Sequence, residues 1–229
     1  LDMQGMVRQL VPEEGEDRVN EFLVARNFDA IYGFRGILTA DGRADSTIYQ
    51  DADTRVMYVN YAVALAQLGQ RRAIARAYDD AIRRMETALA FDPTLKAGIV
   101  LLGTYYLLAG RGDDAVAHYL RAIRGEPGEG EYWLRLARIY EYRDQLPFAL
   151  QNVTEGIRLA PGHRQLRLDA FRIAARLGDG ERAKEFVAQW LEAHPDDEEM
   201  RSVYANADRI LAEEFGLGGS APAERGGPR

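Results

Sequence analysis

Apolar and small residues recur along most of the chain at the three- and four-residue spacing of amphipathic helices, in Ala- and Leu-rich runs separated by short polar turns. Four of these runs stop at a proline, and Pro93, Pro127, Pro161 and Pro195 are 34 residues apart at every interval. Proline ends a helix because it lacks the N–H and its ring clashes with the preceding turn. A fixed period of this kind predicts an array of helix pairs stacked on one another.

The positions within the period carry a size pattern. Counting from Lys96, the unit has Leu102 and Gly103 at positions 7 and 8, Tyr106 at 11, Ala115 at 20, Tyr119 at 24, Ala122 at 27 and Pro127 at 32. The unit from Gly130 has Trp133 at 4, Leu136 and Ala137 at 7 and 8, Tyr140 at 11, Ala149 at 20, Gly156 at 27 and Pro161 at 32. This pattern resembles the tetratricopeptide repeat, a helix-turn-helix unit, and implies an all-α, right-handed α-solenoid. Small residues at 8, 20 and 27 let paired helices approach, while large ones at 4, 7, 11 and 24 fill the space between neighbours. The unit from Arg164 keeps Ala170, Ala183 and Pro195 but has Arg167 where an aromatic is usual and Trp190 where Ala is usual, as expected of a terminal unit.

Residues 51–93 read as a divergent repeat. Gly69-Gln70 is the clearest turn signal there, which predicts a first helix from about Ala52 to Leu68 and a second, longer by about two turns, from about Gln70 to Phe91. Tyr58, Tyr61, Ala62 and Leu65 then take positions 4, 7, 8 and 11; a plain 34-residue register would instead put Leu65, Leu68 and Gly69 at 4, 7 and 8. After Pro195, four acids lead into one capping helix over residues 196–215 with periodic apolar Met200, Val203, Tyr204, Ala207, Ile210, Leu211 and Phe215. Residues 216–229 form a Gly- and Pro-rich tail with little apolar surface, and residues 1–50 a non-repeat N-terminal cap segment.

Within residues 3–70, the runs Gln4-Gly5-Met6-Val7-Arg8-Gln9-Leu10-Val11-Pro12, Tyr32-Gly33-Phe34-Arg35-Gly36, Ile48-Tyr49-Gln50-Asp51 and Thr54-Arg55-Val56-Met57-Tyr58-Val59-Asn60-Tyr61 carry a second resemblance. They are similar to the soluble C-terminal region of a bacterial family of multi-spanning membrane proteins related to protein O-mannosyltransferases. That resemblance implies an extracytoplasmic solenoid, periplasmic or at the cell surface, with any glycosyl transfer performed by a membrane domain outside this chain. The opening at Leu1, with neither an initiator Met nor a signal pattern, points to an excerpt of something longer.

Composition narrows the chemistry. The chain has 29 Lys and Arg against 36 Asp and Glu, a net charge of −7, and no basic patch that the sequence discloses, so nucleic acid and direct membrane insertion are not expected. Its 0 cysteines exclude disulfides and thiolate chemistry. His118, His163 and His194 are scattered without metal-ligand spacing, and Asp41, Asp45, Asp51 and Asp53 miss the calcium-loop pattern. Arg111-Gly112-Asp113 occupies a repeat turn. No P-loop, dinucleotide fingerprint or nucleophile elbow is present, so no catalytic, cofactor or metal residue is expected.

The functional surface is expected on the concave face, at positions 2, 5, 9 and 12 of each first helix. These are Val56, Val59, Val63 and Ala66; Ala97, Val100, Thr104 and Leu107; Glu131, Leu134, Arg138 and Glu141; and Gln165, Leu168, Arg172 and Ala175. Position 5 is apolar throughout, and the Lys, Asn and Arg set that clamps a peptide carboxylate in other proteins of this repeat family is absent. The groove is therefore expected to hold an apolar or helical protein segment, the alternative being that the chain's own N-terminal fifty residues fill it. A rival reading is head-to-tail self-association into an oligomer or filament, with Leu217 and Pro222 in the tail anchoring on a neighbouring copy.

Overall fold

The computed structural model describes residues 52–217, with side chains described from Tyr58 onward. Ten helices and no strand are present among the described residues. They are α1 (Ala52–Ile74), α2 (Tyr78–Phe91), α3 (Lys96–Leu108), α4 (Gly112–Gly125), α5 (Gly130–Tyr142), α6 (Leu146–Leu159), α7 (Arg164–Arg176), α8 (Gly180–Ala193), α9 (Glu198–Ala205) and α10 (Ala207–Phe215). The chain divides into two compact units, residues 1–115 and 116–229, with the boundary inside α4. The expected N-terminal cap segment, residues 1–50, lies outside the described residues.

Two turn types alternate along the array. The turn after each first helix places one residue in the left-handed region: Arg76 at φ 59°, Gly110 at 74°, Asp144 at 56° and Gly178 at 85°. The N–H of the next residue reaches back to the carbonyl five residues earlier, as in Ala77 to Arg72, Arg111 to Tyr106, Gln145 to Tyr140 and Asp179 to Ala174, at 2.8–3.0 Å. This is the Schellman closure, which satisfies carbonyls left open at a helix end. The turn after each second helix explains the prolines. The residue before each proline accepts a bond from the residue two after it, as in Leu95 to Asp92 and His163 to Ala160, so proline sits at the second position of a β-turn, where its fixed φ is native.

The first described repeat keeps the plain 34-residue register, contrary to the expectation of a longer second helix. Its first helix is the long one, with 23 residues against 13 in α3, α5 and α7. Gly69 lies inside α1: a methyl group there would stand 3.2 Å from the carbonyl oxygen of Ala81 on α2. It is thus a close-approach residue at position 8, facing Ala81 at position 20, and the turn passes instead to Arg76. Leu65, Leu68, Met85 and Ala88 are all buried in this register. The N-terminal extension of α1 is held by Tyr58 and Tyr61, whose rings stand 5.6 and 6.0 Å from that of Phe91 at the end of α2.

In the second unit, Ala137, Ala149, Val153, Leu166, Ala170, Ala183 and Val187 belong to one buried cluster. Bulk is exchanged between positions 4 and 27. A methyl on Gly156 would lie 2.7 Å from Cβ of Trp133, so the large residue at 4 requires none at 27. In the next repeat the sizes are reversed: Trp190 occupies 27, and the Arg167 guanidinium at 4 stands 5.9 Å from its ring. The single capping helix expected after Pro195 is two short ones, α9 and α10, broken at Asn206, whose side-chain amide donates to the carbonyl of Ser202 at 2.8 Å.

The turn geometry carries a test. Non-glycine residues in the left-handed region are strained, so Arg76→Gly is expected to raise stability by up to about 1 kcal/mol, and Gly178→Ala to lower it by about 1 kcal/mol. Denaturant unfolding of both variants checks this; a less stable Arg76→Gly protein places the first turn elsewhere.

Candidate functional site

The first helices of the two units present chemically different faces. In the first unit, large apolar side chains stand in solvent on α1 and α3: Val59 is 47% exposed, Val63 40%, Ile74 83%, Leu107 40% and Leu108 53%. With the register corrected, Val63 takes position 2, while Val59 stands one helical turn ahead of the repeat on the same side of α1. Val100 and Thr104 at positions 5 and 9 of α3 are half-buried, and the Thr104 hydroxyl donates to the Val100 carbonyl at 3.0 Å. Ile74 and Leu108 occupy position 13, two residues before the left-handed turn residue. That position was not among those singled out in the sequence.

The corresponding face of the second unit is charged and self-paired. Arg138 donates through Nε to Oδ2 of Asp169 at 2.7 Å, and Asp169 is 1% exposed. Gln165 also donates to Asp169, at 3.0 Å. Glu141 accepts from Arg172 at 2.7 Å and from Arg176 at 3.0 Å, and Arg176 reaches Asp144 at 3.1 Å. Three arginines and three carboxylates thus join α5 to α7. Hydrogen bonding to Asp169, opposed by burial, raises the Arg138 pKa further. The sequence signal for this network, opposite charges 31 residues apart, is visible only after the period is known.

Two expectations change here. Leu134, at position 5 of α5, is 3% exposed and belongs to the buried cluster, because α7 is drawn against this face. Leu168 is half-buried and packs on the same cluster. The continuous apolar row at position 5 is therefore not an open surface in this unit, and Arg138, Glu141 and Arg172 already have internal partners.

At the C-terminal end, Asp197 joins three elements. Its carboxylate caps α9 by accepting the Met200 N–H at 3.0 Å, and it accepts Nε of Arg164 on α7 at 2.8 Å and Nε1 of Trp190 on α8 at 2.9 Å. The Met200 bond foremost, with help from Arg164 and Trp190, lowers its pKa from 3.8 to about 2. The outer positions of α9 and α10 are mostly polar: Arg201, Ser202, Asp208, Arg209, Glu213 and Glu214 are exposed, with Tyr204 the large apolar exception. Leu217, expected to anchor on a neighbouring copy, packs on its own chain's core; Pro222 lies outside the described residues.

The remaining candidates are occupied or structural. His118 is buried, His163 stands 3.6 Å from Glu131, and the His194 ring stacks on Trp190 at 3.8 Å. Arg111 pairs with Asp114 at 2.7 Å. Among the described residues no group of His, Asp and Glu is arranged to hold a metal, and no helix is long and apolar enough to cross a membrane. Asp41, Asp45 and Asp51 lie outside the described residues.

Paired helices at a 34-residue period, with exposed side chains on their first helices, define a helical-repeat scaffold. Two family models, both described as tetratricopeptide repeat, match residues 96–139 and 143–207. The repeats are tetratricopeptide repeats, and the described fold is the all-α solenoid type they build. A tetratricopeptide repeat protein from Parabacteroides merdae is similar in structure at TM-score 0.50 and 18% identity, covering 69% of this chain and 68% of its own. MamA matches at TM-score 0.49 and 17% identity, over 73% of this chain and 85% of its own. A thermophilic repeat protein from Thermus thermophilus matches at 0.49 and 20%, over 64% and 80%. Such likeness is one of fold alone. No curated protein matches the sequence.

These contacts can be tested at two residues. Leu134→Asp is expected to unfold or loosen the second unit, by at least the roughly 2 to 5 kcal/mol that truncating a buried Leu costs; unchanged chemical denaturation would return Leu134 to the surface. The second test concerns pH. Because the folded pKa of Asp197 lies below its ordinary value, its contribution is present above about pH 4 and fades as pH falls towards 2. Asp197→Asn should therefore be less stable than the parent at neutral pH, with the difference closing near pH 2. Unfolding curves across that range measure it.

Proposed function

We propose that this chain is a non-enzymatic protein-interaction module whose α1 and α3 face docks an apolar or amphipathic helical segment of a partner protein. One observation carries the reading: Val59, Val63, Ile74, Leu107 and Leu108 stand exposed on the first helices of one unit, while the matching face of the other unit is closed by its own ion pairs. Exposed apolar side chains gathered on neighbouring elements favour a contact surface, and a helix laid on such a surface buries them at three- and four-residue intervals. Tetratricopeptide repeats are suited to this role because each repeat adds one first helix to the face. An extracytoplasmic location is part of the proposal and rests on the resemblance of residues 3–70. The two matched repeat stretches lie outside that segment. Self-association gains no support from Leu217, which packs internally, or from the polar outer positions of α9 and α10.

Val63→Asp and Leu107→Asp should each weaken partner capture about tenfold or more while leaving helicity intact, since both side chains are exposed and their loss opens no cavity. Crosslinked partners are identified from native extracts, and affinity is then measured by calorimetry beside circular dichroism. Binding that survives both substitutions removes the apolar face from the function.

A further inference from the structure

The apolar face of the first unit is also an uncharged one. Positions 2, 5, 9 and 12 of α1 and α3 hold no charged residue, and Gln70 and Thr104 are their polar members. In α5 and α7 the same positions include Glu131, Arg138, Glu141 and Arg172. Val63 and Leu107 stand exposed on this face, each at 40%. A surface of this kind fits a helix whose contact stripe carries no charge either, because burying a charge without a partner is costly.

The chain's own sequence supplies such a stripe. Met3, Met6, Val7, Leu10 and Val11 fall at i, i+3, i+4, i+7 and i+8, the spacing of one helical face, while Gln4, Arg8 and Gln9 fall on the other side. Pro12 and the acids Glu13, Glu14 and Glu16 end the run. In the other apolar run of this region, Val19, Phe22 and Leu23 share their stripe with Arg26, so that run suits an uncharged face less well. Residues 12–51 tether the first run to the start of α1 at Ala52. A random coil of about 40 residues spans about 35 Å, whereas Val63 lies only about 17 Å along α1 from Ala52. Reach therefore does not limit the contact, and a tethered segment competes at an effective concentration of order millimolar.

We propose that residues 3–11 dock as a helix on the α1 and α3 face of their own chain and close it until a partner segment displaces them. The proposal rests on the protein-interaction reading and adds the regulation of that same site. A partner must outcompete a tethered ligand of its own chemistry, and the unbranched methionines adapt to a surface that also has to accept another occupant.

The chain has 0 cysteines, so introduced pairs report without background. Val7→Cys with Leu107→Cys should crosslink within one full-length chain through a short bismaleimide. Val7→Cys with Tyr142→Cys, an exposed position of the second unit, should react about tenfold more slowly. A labelled peptide of residues 2–13 is then titrated onto the full chain and followed by anisotropy. Met6→Asp combined with Leu10→Asp should tighten its binding about tenfold, because the tethered copy no longer occupies the face, and Val63→Asp in that background should abolish the gain. Circular dichroism confirms that each variant is folded. The proposal is overturned if the Leu107 pair reacts no faster than the Tyr142 pair, if crosslinking joins two chains instead of one, or if the Met6 and Leu10 substitutions leave peptide affinity unchanged. Crosslinking within one chain together with partner capture that survives Val63→Asp would instead uphold the docking and remove the partner reading, so the two fail separately.

Discussion

Close approach of the two helices within each repeat governs the rest of this structure. Where Gly69 faces Ala81, a methyl group on α1 would stand only 3.2 Å from a carbonyl oxygen, and where Trp133 covers Gly156, position 27 admits no side chain. Helix pairs at that distance leave room only for a fixed total volume, so bulk added at one position must be withdrawn from its partner. The terminal repeat shows the same constraint from the other side. Trp190 fills the position that Gly156 leaves empty, and the facing position holds Arg167, a flexible chain whose planar head lies against the indole. What looks like degeneration in the repeat signature is a change in which helix supplies the volume.

Given that packing, polar chemistry decides which surfaces stay open. The first helices α5 and α7 are joined by Arg138 with Asp169 and by Glu141 with Arg172, and the burial of Asp169 makes those contacts more consequential than exposed ion pairs, which typically contribute about 0 to 1 kcal/mol. A buried carboxylate stripped of its arginine would lose much of the solvation that replaced water. The network therefore fixes how these helices align and removes their charged groups from recognition. At the chain's described C-terminal end, Asp197 does comparable work, capping α9 while tying it to α7 and α8. On α1 and α3, by contrast, Val59, Val63, Leu107 and Leu108 stand exposed.

The convergence of three arginines on Asp80 shows how helix register brings together charges that lie apart in the sequence. Arg72, Arg83 and Arg84 come from two helices, and their convergence depends on the register between α1 and α2. Were the turn at Gly69, Arg72 would begin the second helix and share no interface with Asp80. The same close approach that buries Gly69 thus creates the cluster.

The sequence by itself determined the period, the helical class and the place of the β-turn prolines, because these depend on local rules: proline's fixed φ, the amphipathic spacing and the small residues needed where backbones meet. It could not separate the two roles of glycine. Gly69 and Gly110 look alike in the chain, yet one is buried against a carbonyl inside a helix and the other adopts a left-handed turn, while the turn of the first described repeat falls to Arg76, which carries no turn signal. Likewise Leu107, at position 12 of α3, and Leu134, at position 5 of α5, are both apolar residues on first helices, but one is exposed and the other buried. Tertiary packing alone decided those matters, because closeness between helices depends on partners about 30 residues away and not on the local residue.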